Sequence, residues 1–304
     1  MIIDCAIIGG GPAGLSAALV LGRAKRNVVV FDDNQPRNAV TQESHGFLTR
    51  DGVTPDEFRR MAHQEISAYP SVGIQHARIT EVSNHEGVFE LVVDVSTIIQ
   101  ARTIILATGL RETLPAIEGI HEYYGKSLFG CPYCDGWELK DKLLIIIAEE
   151  GQSAFHMARN VWNWSRNLLV CTNGHATLTE EQKAALRKNE IQIVEDRITA
   201  LVGTRGMLER VVFTTHEESA RQGGFVVPQW HQASPFGALL GCEMNAMDGS
   251  VVDGIMADRF GRTSVKGVYA AGEVIVPSQL IVAAAQGSMA AAGVNMDLTQ
   301  SEFL

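Results

Sequence analysis

Residues 5–14 read Cys5-Ala6-Ile7-Ile8-Gly9-Gly10-Gly11-Pro12-Ala13-Gly14. Cys5 to Ile8 form a continuous apolar run, the pattern of a parallel strand buried on both faces, and the run ends in glycine. Gly9 permits a tight turn, Gly11 leaves the backbone bare where a pyrophosphate can approach, and Gly14 lets the next helix pack close to the strand. That helix opens at Pro12 and Ala13, so its first N–H groups aim at the anion. Leu15 to Gly22 continue it, and Val28 to Phe31 form a second strand ending in Asp32, where a carboxylate can accept hydrogen bonds from ribose hydroxyls. This order of elements is that of a dinucleotide-binding Rossmann unit. The turn alone does not distinguish a flavin from a nicotinamide.

Further along, Val72 to Leu106 have the alternation and turn residues of a small strand-rich insert, closing with Thr103 to Leu106 and the turn Ala107, Thr108, Gly109. After Pro115 the architecture repeats, about 140 residues on: Leu143 to Ile147 as a strand, Ser153 to Trp164 as a helix, Leu168 to Cys171 as a strand. Near the end, a strand from Gly267 to Ala271 runs into Gly272 and Glu273. The helix Ile281 to Asn295 that follows is dense in alanine and suits close packing or a neighbouring ligand. The expected fold is α/β with two Rossmann-like nucleotide-binding domains.

The chain has 304 residues, 46% of them hydrophobic and 20% charged, enough for two domains with their own cores. A net charge of −10 with no run of Lys and Arg argues against nucleic acid as a partner. The first residues lack a basic leader and run through Asp4 into the glycine turn, so they read as a strand and not a signal peptide. No stretch approaches the roughly 20 apolar residues of a membrane span. A soluble cytoplasmic protein without a membrane partner is expected.

Five cysteines are too few and too scattered for a disulfide scaffold. Cys131-Pro132-Tyr133-Cys134 closes a short ring that can be oxidised and reduced with little backbone motion, its thiolate form being the nucleophile. Asp135 beside it reads either as the proton acceptor and donor for a leaving thiol or as a solvated turn residue. Zinc would need four ligands, and neither a second CxxC nor a nearby His-x-x-x-His exists, so no metal site is expected. Glutaredoxins share the tetrapeptide, but that small fold has no upstream glycine turn. Cys5, Cys171 and Cys242 read as core residues, His121 and His156 as surface or satisfied core, and Met244 to Met247 as loop or lining. Trp162 and Trp164 read as packing residues, the alternative being that they fill an empty nucleotide cleft.

On the turn Gly9 to Gly14, Ala107 to Gly109, Cys131 to Gly136 and the segment Ala270 to Ala291, the chain resembles the low-molecular-weight thioredoxin reductases over nearly its whole length. Asp32 to Asn38 with His45, Gly46 and Phe47 further resemble the branch containing dithiol oxidases of gliotoxin and holomycin type. The resemblance implies two three-layer ββα domains: a discontinuous FAD domain of residues 1–114 and 241–304, and an NADPH-like domain of residues 115–240 carrying the cysteine pair. Hinges are implied near Leu114 and Gly241, letting the pair alternately meet flavin and partner. Non-covalent FAD is implied near Cys134, with Cys131 the outer thiol and Asp135 the proton carrier. Flavin contacts are implied at the first glycine turn, Asp32, Arg37, Asn38, His45, Ala107, Thr108, Gly109, Gly272, Glu273, Gln279 and Leu280. Glu273 stands where the family's usual residue is Asp. A homodimer is the family's habit.

The second nucleotide unit departs from the family. In place of Gly-x-Gly-x-x-Ala it reads Glu149, Glu150, Gly151, Gln152, Ser153, Ala154, and Cys171, Thr172 and Asn173 stand where a His-Arg-Arg grip on a 2′-phosphate belongs. A carboxylate about 4 Å from a phosphate at an effective dielectric near 20 costs on the order of 4 kcal/mol. Two such contacts cancel a micromolar affinity of about 8 kcal/mol. The expectation is an FAD-dependent dithiol/disulfide oxidoreductase that does not use NADPH as routine donor. Its partner would be a thioredoxin-like protein or a small dithiol or disulfide, with another redox protein as donor or oxygen as acceptor. An NADPH-dependent thioredoxin reductase and a non-catalytic flavin redox sensor are the alternatives.

Overall fold

The computed structural model describes residues 2–175, 177–246 and 253–304. It divides into two compact units: Met1–Ala39, Gly46–Arg111 and Trp230–Leu304 in the first, Val40–His45 and Glu112–Gln229 in the second.

The first unit opens with strand β1 (Ile2–Ile8), helix α1 (Pro12–Arg23) and strand β2 (Val28–Asp32). Pro12 takes the first helical position, where its missing N–H leaves nothing unsatisfied. Helix α2 (Pro55–Ile66), absent from the sequence reading, starts at Thr54, whose hydroxyl accepts from Glu57 N at 3.2 Å. Thr-Pro-Asp-Glu is a helix-start signal in its own right. Strands β3 (Val72–His76), β4 (Ile79–His85), β5 (Val88–Val93) and β6 (Thr97–Leu106) follow. The sheet order is β3-β2-β1-β6-β5-β4, with Val268–Ala270 also pairing β6. One edge of β6 lies parallel to β1. Its other edge is shared, the first half antiparallel to β5 and the second half parallel to Val268–Ala270. That sharing joins the parallel layer to the antiparallel one. The C-terminal helix, Leu280–Phe303, buries Ala283, Ala290, Ala291 and Val294 in one core cluster with Ala13, Ala17 and Ala18 of α1. At Gly287 any side chain would collide with the Ala13 carbonyl. The small residues serve close packing of two helices, one of the two roles expected of them.

In the second unit a parallel sheet runs in the order Gln192–Val194, Leu168–Cys171, Leu144–Ile147, Gly223–Val226, Leu128–Phe129. Leu144–Ile147, the helix Gly151–Val161 and Leu168–Cys171 reproduce the repeat seen in the sequence. A three-stranded antiparallel sheet, Ile198–Thr204, Met207–Phe213 and Ser219–Ala220, completes it. The α/β fold with two Rossmann-type units is borne out. Met244–Ala246, expected as loop or lining, is a strand paired with Asp253–Ile255 and so is not loop, while Met247 lies outside the described residues.

Candidate active site

At the end of β1, Gly9 adopts φ +115°, a conformation open to glycine and strained for other residues. A side chain there would also collide with the Ala107 carbonyl, and one at Gly14 with the Gly9 carbonyl. Gly11 is different: it is the extended N-cap of α1 (φ −80°), and nothing lies within 4 Å of where its Cβ would be. The protein leaves this face of the turn clear, beside the unpaired N–H groups of a 12-residue helix. That fits the pyrophosphate of a dinucleotide.

The remaining predicted contacts of the first unit sit as follows. Asp32 is buried; it accepts from Asn34 N at 3.0 Å and pairs with the guanidinium of Arg59. Arg59 is itself buried and also donates to Asn34 Oδ1 at 2.8 Å. It fixes the Asp32 carboxylate, and the sequence reading missed it because α2 was missed. Arg37 begins a short 3₁₀ turn that includes Asn38. Its Nη2 meets Glu273 Oε1 at 2.7 Å and its Nε meets Oε2 at 3.1 Å, with the guanidinium 5.0 Å from the Trp230 ring centroid. The extra methylene of Glu273 thus goes into a two-pronged ion pair with another predicted site residue. Thr108 shares a hydrogen bond with Ser234 (3.1 Å), Gly109 O accepts from Ala233 N (3.1 Å), and Ala107 N donates to Ile8 O (2.9 Å). Gly272 N donates to Gln286 Oε1 at 3.0 Å, while Gln279 is the N-cap of the last helix and Leu280 its first residue.

In the second unit Cys131 and Cys134 form a disulfide with Cα atoms 5.3 Å apart. Cys131 caps the one-turn helix Pro132–Asp135, its carbonyl accepting from Cys134 N and Asp135 N, each at 3.2 Å. Behind the turn stands Trp164. A side chain at Gly136 would strike its ring, and Tyr133 meets it edge-on with centroids 5.4 Å apart. Trp164 therefore buttresses the redox turn; sequence spacing had offered only packing or cleft filling. Trp162 packs against the core beneath the helix it follows, stacked with Arg166. Asp135 is 9% exposed, and burial first, then the Glu138 carboxylate, push its pKa up to about 7, against the pull of His45. It can hold a proton near neutrality. His45 belongs to this unit through Val40–His45, with Nε2 3.5 Å from Glu43 and 3.8 Å from Glu138. The other three cysteines are buried, and burial disfavours their thiolates: it pushes Cys5 up to about 12, and raises Cys171 and Cys242 as well.

The second turn contrasts with the first. The N-cap that corresponds to Gly11 is Glu150, and Gly151 is the first helical residue, where a side chain would collide with the Thr177 carbonyl. Glu150 caps the helix, its carboxylate accepting from Gln152 N (2.9 Å) and Ser153 N (2.6 Å). Burial opposes the charge, but these bonds hold the carboxyl below its usual pKa. Glu149 accepts from Asn173 Nδ2 at 2.8 Å and lies 3.8 Å from His175 Nε2. Cys171, Thr172 and Asn173, at the place of the phosphate grip, are all buried. The carboxylates do more than repel an anion: Glu150 takes the N–H groups that the anion would use. Among the described residues no cluster of His, Cys, Asp and Glu is arranged to hold a metal, and no helix is long and apolar enough to cross a membrane.

The sequence profile of the pyridine nucleotide-disulphide oxidoreductase family matches residues 3–287. Thioredoxin reductase aclD of Aspergillus oryzae is 29% identical, covering 99% of this chain and 98% of its own. Thioredoxin reductase tcpT of Claviceps purpurea is 31% identical, covering 90% and 86%. Among solved structures, a putative thioredoxin reductase TrxB from Bacillus anthracis superposes with a TM-score of 0.93 at 44% identity over 99% of both chains. HlmI superposes at 0.91 with 33% identity over 99% of this chain and 94% of its own. The resemblance drawn from the motifs is borne out.

Proposed function

The chain belongs to the pyridine nucleotide-disulphide oxidoreductase family and is a flavoprotein disulfide oxidoreductase, and we propose that it passes electrons between FAD and a dithiol or disulfide partner without NADPH as routine donor. The observation that carries this reading is the contrast between the two helix N-caps: Gly11, bare and clear within 4 Å, and Glu150, whose carboxylate takes the N–H groups of Gln152 and Ser153. FAD would be held by the Gly9–Gly14 turn and the N-terminus of α1, with Asp32 at the ribose and Arg37, Asn38, Ala107 to Gly109, Gly272, Glu273, Gln279 and Leu280 around the remainder. When bound, the flavin supplies a two-electron acceptor or donor for the cysteine pair.

The chain's own residues carry the exchange. A substrate thiolate attacks Cys131 Sγ, the bond to Cys134 breaks, and the Cys134 sulfur leaves with the electron pair and takes a proton from neutral Asp135. The second substrate thiolate then displaces Cys131 and closes the substrate disulfide. The substrate loses two electrons and two protons, and the pair gains both, one proton through Asp135 and one from solvent. Run backwards, the same steps reduce a disulfide. The relatives named thioredoxin reductase support a thioredoxin-like protein or a small dithiol or disulfide as partner. Ile281, Val282, Met289 and Met296, exposed along the last helix, favour a homodimer, which sedimentation would detect.

Anaerobic titration of the yellow protein with NADPH, NADH, dithiothreitol and a reduced ferredoxin tests the proposal. Bleaching by dithiothreitol, with none by micromolar NADPH, is expected. Rapid bleaching by NADPH would overturn it, and peroxide formed from a dithiol in air would identify oxygen as acceptor.

A further inference from the structure

Val40–His45 lies in the first third of the chain, yet it packs with the unit that carries the cysteines. The Val40 carbonyl approaches Gly125 so closely that no other residue would fit at Gly125, and Ser44 is buried. This segment delivers a single imidazole, His45, only 18% exposed, to a site with three carboxylates. Its Nε2 lies 3.8 Å from Glu138 and 3.5 Å from Glu43. Glu138 follows Asp135 by three residues, just past the redox turn. The charged groups acting on Asp135 are Glu138, just past its own turn, and His45 from the segment, whose Nε2 the Glu43 carboxylate also approaches.

We propose that His45 is a positioning residue for proton transfer at the redox pair, and that with Glu138 it sets the pH at which Asp135 gives its proton to the departing Cys134 sulfur. The inference rests on the proton role given to Asp135 above, and it moves His45 from the flavin contacts to the chemistry. The two neighbours act in opposite senses. Protonated His45 favours the Asp135 carboxylate, and Glu138 disfavours it.

The test uses flavin-loaded protein and two readouts: the pH profile of dithiol-driven flavin reduction, and infrared titration of the carboxyl C=O band that Asp135→Asn removes. His45→Gln is expected to raise both midpoints and Glu138→Gln to lower both, each by about half a pH unit or more. A purely structural role would change amplitude or flavin content and leave the midpoints in place. Midpoints that stay fixed, or that move the same way in both variants, overturn the inference. If Asp135→Asn itself leaves the rate and its pH profile unchanged, the proton role of Asp135 fails first, and that outcome is distinct from the other two.

Discussion

Replacing Gly11 or Gly9 with alanine separates the cofactor's requirement for glycine from the fold's. Gly11 has φ −80° and ψ −177°, which alanine adopts freely, and no atom lies within 4 Å of the added methyl. Lower chain entropy in the unfolded state favours alanine by about 0.4–1 kcal/mol. Alanine's poorer N-capping costs an amount on that order, so the flavin-free protein should keep its stability within about 1 kcal/mol. Gly9 has φ +115° and faces the Ala107 carbonyl, a backbone atom that cannot rotate aside. Backbone strain alone costs about 1–3 kcal/mol there, and the collision adds to it. With flavin the order reverses for Gly11: a methyl forced into the pyrophosphate's place costs about 1–3 kcal/mol, or roughly fivefold to 150-fold in affinity. Urea denaturation of stripped protein by circular dichroism, with flavin rebinding followed by fluorescence, measures both. If Gly11→Ala unfolds as easily as Gly9→Ala, or rebinds flavin as tightly as the parent, the open face is not the cofactor's seat.

Cys134→Ser should keep flavin bound and abolish its bleaching by dithiothreitol; surviving bleaching would reassign the inner thiol. Replacing Glu149 and Glu150 together with glycine should strengthen NADPH binding measured by calorimetry, while loss of the Glu150 cap lowers stability by about 1 kcal/mol. Asp135 binds its proton more tightly in the folded protein than in the unfolded chain. Its contribution to stability is therefore full below pH about 4 and is lost as pH rises toward about 7. Asp135→Asn should consequently stabilise the oxidised protein at pH 8 and flatten that stretch of the denaturation profile; a steeper profile would contradict the burial of a neutral acid. Trp164→Ala removes the wall behind Gly136 and Tyr133, and should slow dithiol-driven reduction at least several-fold without loss of flavin.

Local sequence was enough for the repeated strand, turn, helix, strand order, because apolar runs and glycine turns dictate backbone geometry within a dozen residues. The same holds for the redox turn, whose two cysteines need only one helical turn to meet. It also exposed the damage at Glu149 and Glu150, since carboxylates oppose phosphate wherever they point. Where those carboxylates point was a tertiary matter. Glu150 bonds within its own helix, but Glu149 meets Asn173 and His175, and Gly151 faces Thr177, partners more than 20 residues away in the chain. The same is true of Arg59 behind Asp32, Arg37 on Glu273, Trp164 behind the disulfide and His45 beside Glu138. A side chain's charge and shape are written in its identity. What it touches is decided by how distant segments close over it, and only there is it settled which glycine stays open and which acid keeps its proton.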